Sequence, residues 1–136
     1  MLDVLDVPDL IAPRADRPSP VLECFWTDCG AGTAWVQVTG ELDIATATPL
    51  QRALGGPQAR VPLVVLDLRE LTFMDSSGVH AIVNASNRAR DAGRRLIVVR
   101  GPPNVDRMFA RAGVADVVEI ADVSSLLALI EDEPSS

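Results

Sequence analysis

The chain of 136 residues contains no lysine; all twelve of its basic residues are arginine. A Walker-type phosphate loop, which needs a lysine beside its glycines, is therefore excluded. There is a single histidine, His80, and there are two cysteines, Cys24 and Cys29. A metal site built on histidine and cysteine lacks ligands, so no metal is expected. Two cysteines are also too few for a secreted disulfide framework. They either cross-link a hairpin or remain free thiols, and reduced thiols suit an intracellular chain. Aromatic residues make up only 4%, which leaves Val, Leu, Ile and Ala to build the core. No apolar run approaches the roughly 18 residues of a membrane span. The start, Met1-Leu2-Asp3-Val4-Leu5-Asp6, is acidic and unlike a signal peptide. The expected compartment is the cytoplasm, with no membrane partner.

The formal net charge is −7. Neutralising nucleic-acid phosphates requires basic patches, so a direct nucleic-acid partner is not expected. The densest basic group, Arg88, Arg90, Arg94 and Arg95, reads as a solvated helix end near the negative pole of its dipole. An acidic surface suits a partner that carries a positive patch.

Residues 1–20 read as a flexible tail, interrupted by Pro8, Pro13, Pro18 and Pro20. Residues 21–132 read as one domain, with 133–136 as a frayed end. Val21 to Thr27 and Thr33 to Gly40 form an antiparallel hairpin around the glycine-containing turn Asp28–Gly32. Ala34, Val36 and Val38 alternate with polar or bulky neighbours, so one face is buried. A first helix starts near Ile44 or at an N-cap Thr48, and stops at Gly55-Gly56-Pro57. Val61 to Leu68 is a central strand in which Asp67 is the odd residue, read as a strand-edge carboxylate near Arg69. A second helix spans Ser77 to Ala92, a strand follows at Leu96–Val99, and a third helix covers Pro103 to Ala112. A short extended piece, Val117 to Ile120, precedes a last helix capped by Asp122. Strand, helix and strand in succession imply right-handed parallel crossovers. The class is α/β, a mixed sheet with helices packed on it.

The stretch Leu63 to Val83 organises the rest. Its apolar run ends in a polar knot, Asp75-Ser76-Ser77-Gly78, just before a helix opens. Parallel pairing of the second and third strands brings Asp43 and Asp75 to one sheet edge, flanking Ser76. The knot does not match the G-x-S-x-G pattern of a nucleophile elbow. His80 follows Ser76 by four residues, but helical spacing does not aim it at a cap hydroxyl, and no oxyanion hole is visible. An enzyme is therefore not expected. A phosphoserine in the knot adds about −1.5 to −2 charges. A helix N-terminus tolerates them, whereas a partner docked there meets new charge. The alternative is a plain structural cap, since both Asp and Ser serve as caps.

Val38-Thr39-Gly40-Glu41-Leu42-Asp43, Val65-Leu66-Asp67-Leu68 and Leu71-Thr72-Phe73-Met74-Asp75-Ser76-Ser77-Gly78 together resemble the anti-sigma factor antagonists of the STAS domain family. The run Asn104 to Val114 resembles that family's third helix. The resemblance spans roughly Val21 to Ile130. It implies a STAS-type mixed sheet, an N-terminal antiparallel hairpin followed by parallel crossovers, of about four to five strands with about four helices. It implies that the unphosphorylated protein binds an anti-sigma factor with serine kinase activity and so frees a sigma factor. Phosphorylation at Ser76 then breaks the complex, and a PP2C-like phosphatase restores it. Asp43 and Asp75, with Ser77 and Gly78, are the partner-binding residues so implied, and no cofactor is implied. The alternative is a STAS-like interaction or small-ligand-binding module in another signalling or transport-associated complex. His80-Ala81 and Pro49 depart from the family pattern close to the presumed docking surface.

Overall fold

The computed structural model describes residues 22–131. The predicted tail at 1–20, Val21 and the predicted frayed end at 133–136 lie outside them. The order is β1 (Leu22–Gly30), β2 (Thr33–Leu42), α1 (Ala47–Arg60), β3 (Leu63–Met74), α2 (Ser76–Asp91), β4 (Arg95–Val99), α3 (Pro103–Ala112), β5 (Glu119–Ala121) and α4 (Val123–Glu131). The strands lie in sequence order in one sheet. β1 pairs antiparallel with β2, and every later pair is parallel. The expected mixed α/β sheet is the observed one.

The hairpin turns on Ala31-Gly32, both with positive φ, as the right-handed twist of two-residue hairpins demands. Cys24 and Cys29 are free thiols rather than a cross-link. Burial raises the Cys24 thiol above its ordinary pKa.

The sheet divides its side chains by alternation. On one face Val36 and Val38 of β2 and Val64, Leu66 and Leu68 of β3 join Leu50 and Leu54 of α1. Val79, Ile82 and Ala85 of α2 and Val105 and Phe109 of α3 complete that core. On the other face Val65, Ile97 and Val99 pack against Leu126 of α4, with Trp35 and Leu63 beside them. Three helices thus cover one side and α4 the other. Each fully buried aliphatic side chain contributes about 1.5–3 kcal/mol, so the larger cluster dominates stability.

Helix α1 corrects the sequence reading. It begins at Ala47 and runs through Gly55-Gly56-Pro57 to Arg60. Leu50, Leu54 and Pro57 are its buried residues, one stripe at helical spacing. Packing that stripe outweighs the low propensity of two glycines and a proline. Gly55 and Gly56 face open space, so they weaken the helix without breaking it. The short fifth strand also starts two residues later and ends one later than expected, at Glu119–Ala121.

β3 extends to Met74, six residues beyond its expected end. Its register against β2 slips twice, between Gln37 and Thr39 and between Gly40 and Glu41. Each slip places an extra β3 residue against β2, as in a β-bulge. As a result Leu42 pairs with Met74; without the slips its partner would be Thr72. The two irregularities therefore deliver the knot to the end of β2.

Candidate functional site

Leu42 and Met74 end adjacent parallel strands, and Asp43 and Asp75 are the next residue on each. The Asp75 backbone N–H donates to the Leu42 carbonyl at 3.1 Å. This bond ties the two turns together. Asp75 is extended and is the N-cap of α2. Its Oδ1 accepts from the Ser77 N–H at 2.9 Å and from the Gly78 N–H at 3.3 Å. Two of the helix's otherwise unpartnered donors are thereby satisfied. Ser76 is the first residue of α2 and is exposed, while Ser77 is half-buried.

Gly78 is buried. A Cβ there would lie 2.6 Å from Met74 Cγ and 2.8 Å from Leu42 Cγ. The glycine lets α2 start directly on the ends of β2 and β3, and it sets the height at which Ser76 stands.

Asp43 plays a similar local part. Its Oδ1 accepts from the Ala45 N–H at 3.0 Å and the Thr46 N–H at 3.2 Å. Its own N–H donates to Thr46 Oγ1 at 2.9 Å, and that hydroxyl donates to the Glu41 carbonyl at 2.8 Å. In both aspartates Oδ1 is engaged, and among the described residues Oδ2 has no hydrogen-bond partner.

Two apolar side chains beside this edge were not singled out by the sequence. Ile44, next to Asp43, is 81% exposed, and Phe73, two residues before Asp75, is 44% exposed. Their signal was an apolar residue at a loop or strand end, outside any helical or strand period. Beside Ser76 a groove of about 300 Å³ opens between α2 and α3, lined by Val79, His80, Met108, Arg111, Ala112 and Val114. Asn104 Nδ2, at the start of α3, donates to the Thr72 carbonyl at 3.0 Å, which holds α3 against the knot edge. His80 is exposed and stands on the groove wall.

Asp67 lies elsewhere. It is not a strand-edge carboxylate: it sits mid-strand on the α4 side of the sheet, 1% exposed. Trp35 Nε1 donates to its Oδ2 at 3.0 Å, and Arg69 Nη2 donates to the same oxygen at 2.8 Å. The Arg69 N–H and Nε both donate to Oδ1 at 3.0 Å. Burial is the largest single influence on this carboxyl and pushes its pKa up. The hydrogen bonds from Arg69 and Trp35, with the guanidinium's charge, outweigh it, so the carboxyl titrates below the usual aspartate range. Hydrogen bonding to Asp67 in turn raises the Arg69 guanidinium.

Among the described residues no three His, Cys, Asp or Glu side chains are grouped to hold a metal ion. No helix among them is long and apolar enough to cross a membrane. At one edge of the five-stranded mixed sheet lie an exposed serine on a capped helix start, two aspartates at strand ends and two exposed apolar side chains. The STAS domain model matches residues 29–126, and the chain belongs to that family.

An anti-sigma-B factor antagonist of Listeria monocytogenes is 32% identical over 87 residues, which cover 63% of this chain and 76% of that protein. An anti-sigma factor antagonist from Mycobacterium paratuberculosis superposes with a TM-score of 0.73 at 23% identity, over 85% of this chain and 98% of that one. The unphosphorylated anti-sigma factor antagonist SpoIIAA superposes with a TM-score of 0.67 at 18% identity, over 83% of this chain and all of that one. At these identities the two superpositions establish the fold.

Proposed function

We propose that this protein is an anti-sigma factor antagonist whose docking surface is the knot edge and whose switch is Ser76. Its unphosphorylated form binds an anti-sigma factor that is also a serine kinase, and the sigma factor is released. ATP-dependent phosphorylation of Ser76 ends the complex, and a PP2C-like phosphatase restores it. It acts in the cytoplasm as a binding module rather than an enzyme. The observation that carries this reading is the exposed Ser76 on a cap already completed by Asp75. Its hydroxyl projects at the surface, so modifying it leaves the fold intact. Asp43 and Asp75 offer their free oxygens to a basic partner, Ile44 and Phe73 supply apolar contact, and Ser77 and Gly78 hold the helix start in place beneath. The Listeria relative, an antagonist of an anti-sigma factor by name, supports the same partner class. The Bacillus protein SpoIIAA, a fold neighbour at a TM-score of 0.60, is known in a phosphorylated form.

Moving a complex from about 1:99 to 99:1 takes roughly 5.5 kcal/mol of differential affinity. A dianion placed beside two carboxylates at an interface acts in the required direction. The test is intact-mass spectrometry of the wild type and Ser76→Ala after incubation with the cognate kinase and ATP, alongside pull-down of that kinase. Wild type gains one phosphate and loses the partner. Ser76→Ala gains none and keeps it, and Ser76→Asp binds poorly. Absence of phosphate on the Ser76 peptide with the cognate kinase sinks the mechanism.

A further inference from the structure

We infer that a phosphate on Ser76 is bridged by this chain's own Arg111, closing the groove between α2 and α3. The inference rests on Ser76 being the modified residue, as proposed above. One wall of the groove carries Ser76, Val79 and His80 of α2, and the other carries Met108 and Arg111 of α3. Apart from Ser76, its only polar side chains are His80 and Arg111, and Arg111 is the one permanent cation. Arg69, Arg95 and Arg100 each pair with a carboxylate. Among the described residues none pairs with Arg111. A new dianion at Ser76 is repelled by Asp75, which precedes it, and by Asp43 at the neighbouring strand end. The electrostatic energy of the dianion falls toward the cation across the groove. A guanidinium meets phosphate oxygens through paired N–H donors and holds them better than a point charge would.

The consequence is a second effect of phosphorylation. In the unmodified protein the groove stands open beside the docking edge. With the phosphate drawn to Arg111, the mouth of that groove is spanned by a polar bridge. The partner then loses a pocket as well as meeting a charge.

The test uses the full chain with phosphoserine incorporated at position 76 during translation, so that no kinase is needed. Titration followed by ³¹P NMR gives the second pKa of the phosphate, about 6 when unperturbed. Asp43 and Asp75 raise it, whereas Arg111 and protonated His80 lower it. A His80→Gln background removes the groove's other side chain able to carry a positive charge, so that the change reads Arg111 alone. In that background Arg111→Ala raises the phosphate pKa by about one unit or more, and Arg111→Lys recovers part of the difference. Arg107→Ala, on the same helix but off the groove, leaves it unchanged. Backbone amides of residues 108–114 shift on phosphorylation in the parent and not in Arg111→Ala. A phosphate that titrates identically with and without Arg111 overturns the bridge. That result is independent of the kinase assay, which tests whether Ser76 is modified at all.

Discussion

Two aspartates eight residues apart, Asp67 within the central strand and Asp75 just past its end, are held in opposite ways. Asp67 is buried within the sheet with both oxygens occupied: Trp35 and Arg69 donate to Oδ2, and Arg69 twice more to Oδ1. Asp75 sits at the strand end with one oxygen spent on the helix cap and the other free. A carboxylate saturated inside the fold has nothing left to offer a ligand, so its work is structural. A carboxylate half-used at an edge can serve the fold and a partner at once. The same contrast separates the two faces of the sheet from the edge between them. The faces are filled by aliphatic packing, while the edge leaves Ser76, Ile44 and Phe73 in solvent.

The largest effect tests the foundation of the edge. Gly78→Val drives a branched side chain into Met74 and Leu42 and destabilises by about 1–3 kcal/mol, read as a lower urea midpoint. It also lifts α2 off the strand ends, and partner affinity falls with it. Next, Asp67→Ala leaves the Trp35 indole N–H without its acceptor and costs about 2 kcal/mol. Partner affinity, measured on protein that is still folded, stays unchanged. Loss of binding there would break the comparison.

Asp75→Ala reverses the pattern. Removing an N-cap costs about 1 kcal/mol of stability, while binding to the anti-sigma factor drops by more than that loss explains. A calorimetric titration of folded protein separates the two.

The pH dependence sharpens the contrast further. An unfolded aspartate titrates near 3.9, and folded Asp67 titrates lower. The unfolded chain therefore binds the proton first as pH falls. The stabilisation from ionised Asp67 is complete above about pH 5. It diminishes below the unfolded value and is gone once the pH passes below the folded one. The stability difference between wild type and Asp67→Ala should accordingly narrow as urea denaturation is repeated from about pH 6 down to about pH 3. A difference that stays constant over that range would remove the ion pair from the account. The smallest effect lies far from both aspartates: Gly55→Ala or Gly56→Ala, on the open face of α1, should each stabilise by about 0.5–1 kcal/mol, seen as a raised Tm.

Element order, the hairpin, the parallel crossovers and the knot itself were legible in the chain. Alternation in β2, the stripe Val105, Met108, Phe109 and Ala112 in α3, and Asp-Ser-Ser-Gly ahead of a helical run are local signals. The end of α1 was misread because Gly-Gly-Pro is a local stop signal, and the packing of Leu50, Leu54 and Pro57 that overrides it is not local. Asp67 was placed near Arg69 correctly, but its second partner inside the fold is Trp35, which lies 32 residues earlier.

What the sequence determined by itself is therefore the set of elements and the chemistry gathered at one knot. Turn residues, caps and periodicity act over a few positions, and their physics is written in neighbouring residues. The tertiary structure alone decided the height and company of that knot. Two register slips bring Met74 to Leu42, a buried glycine seats α2 on them, and α3 places Arg111 across a groove from Ser76. These depend on how far one strand slides against another and on which helix faces which, and both are fixed only when the whole sheet packs.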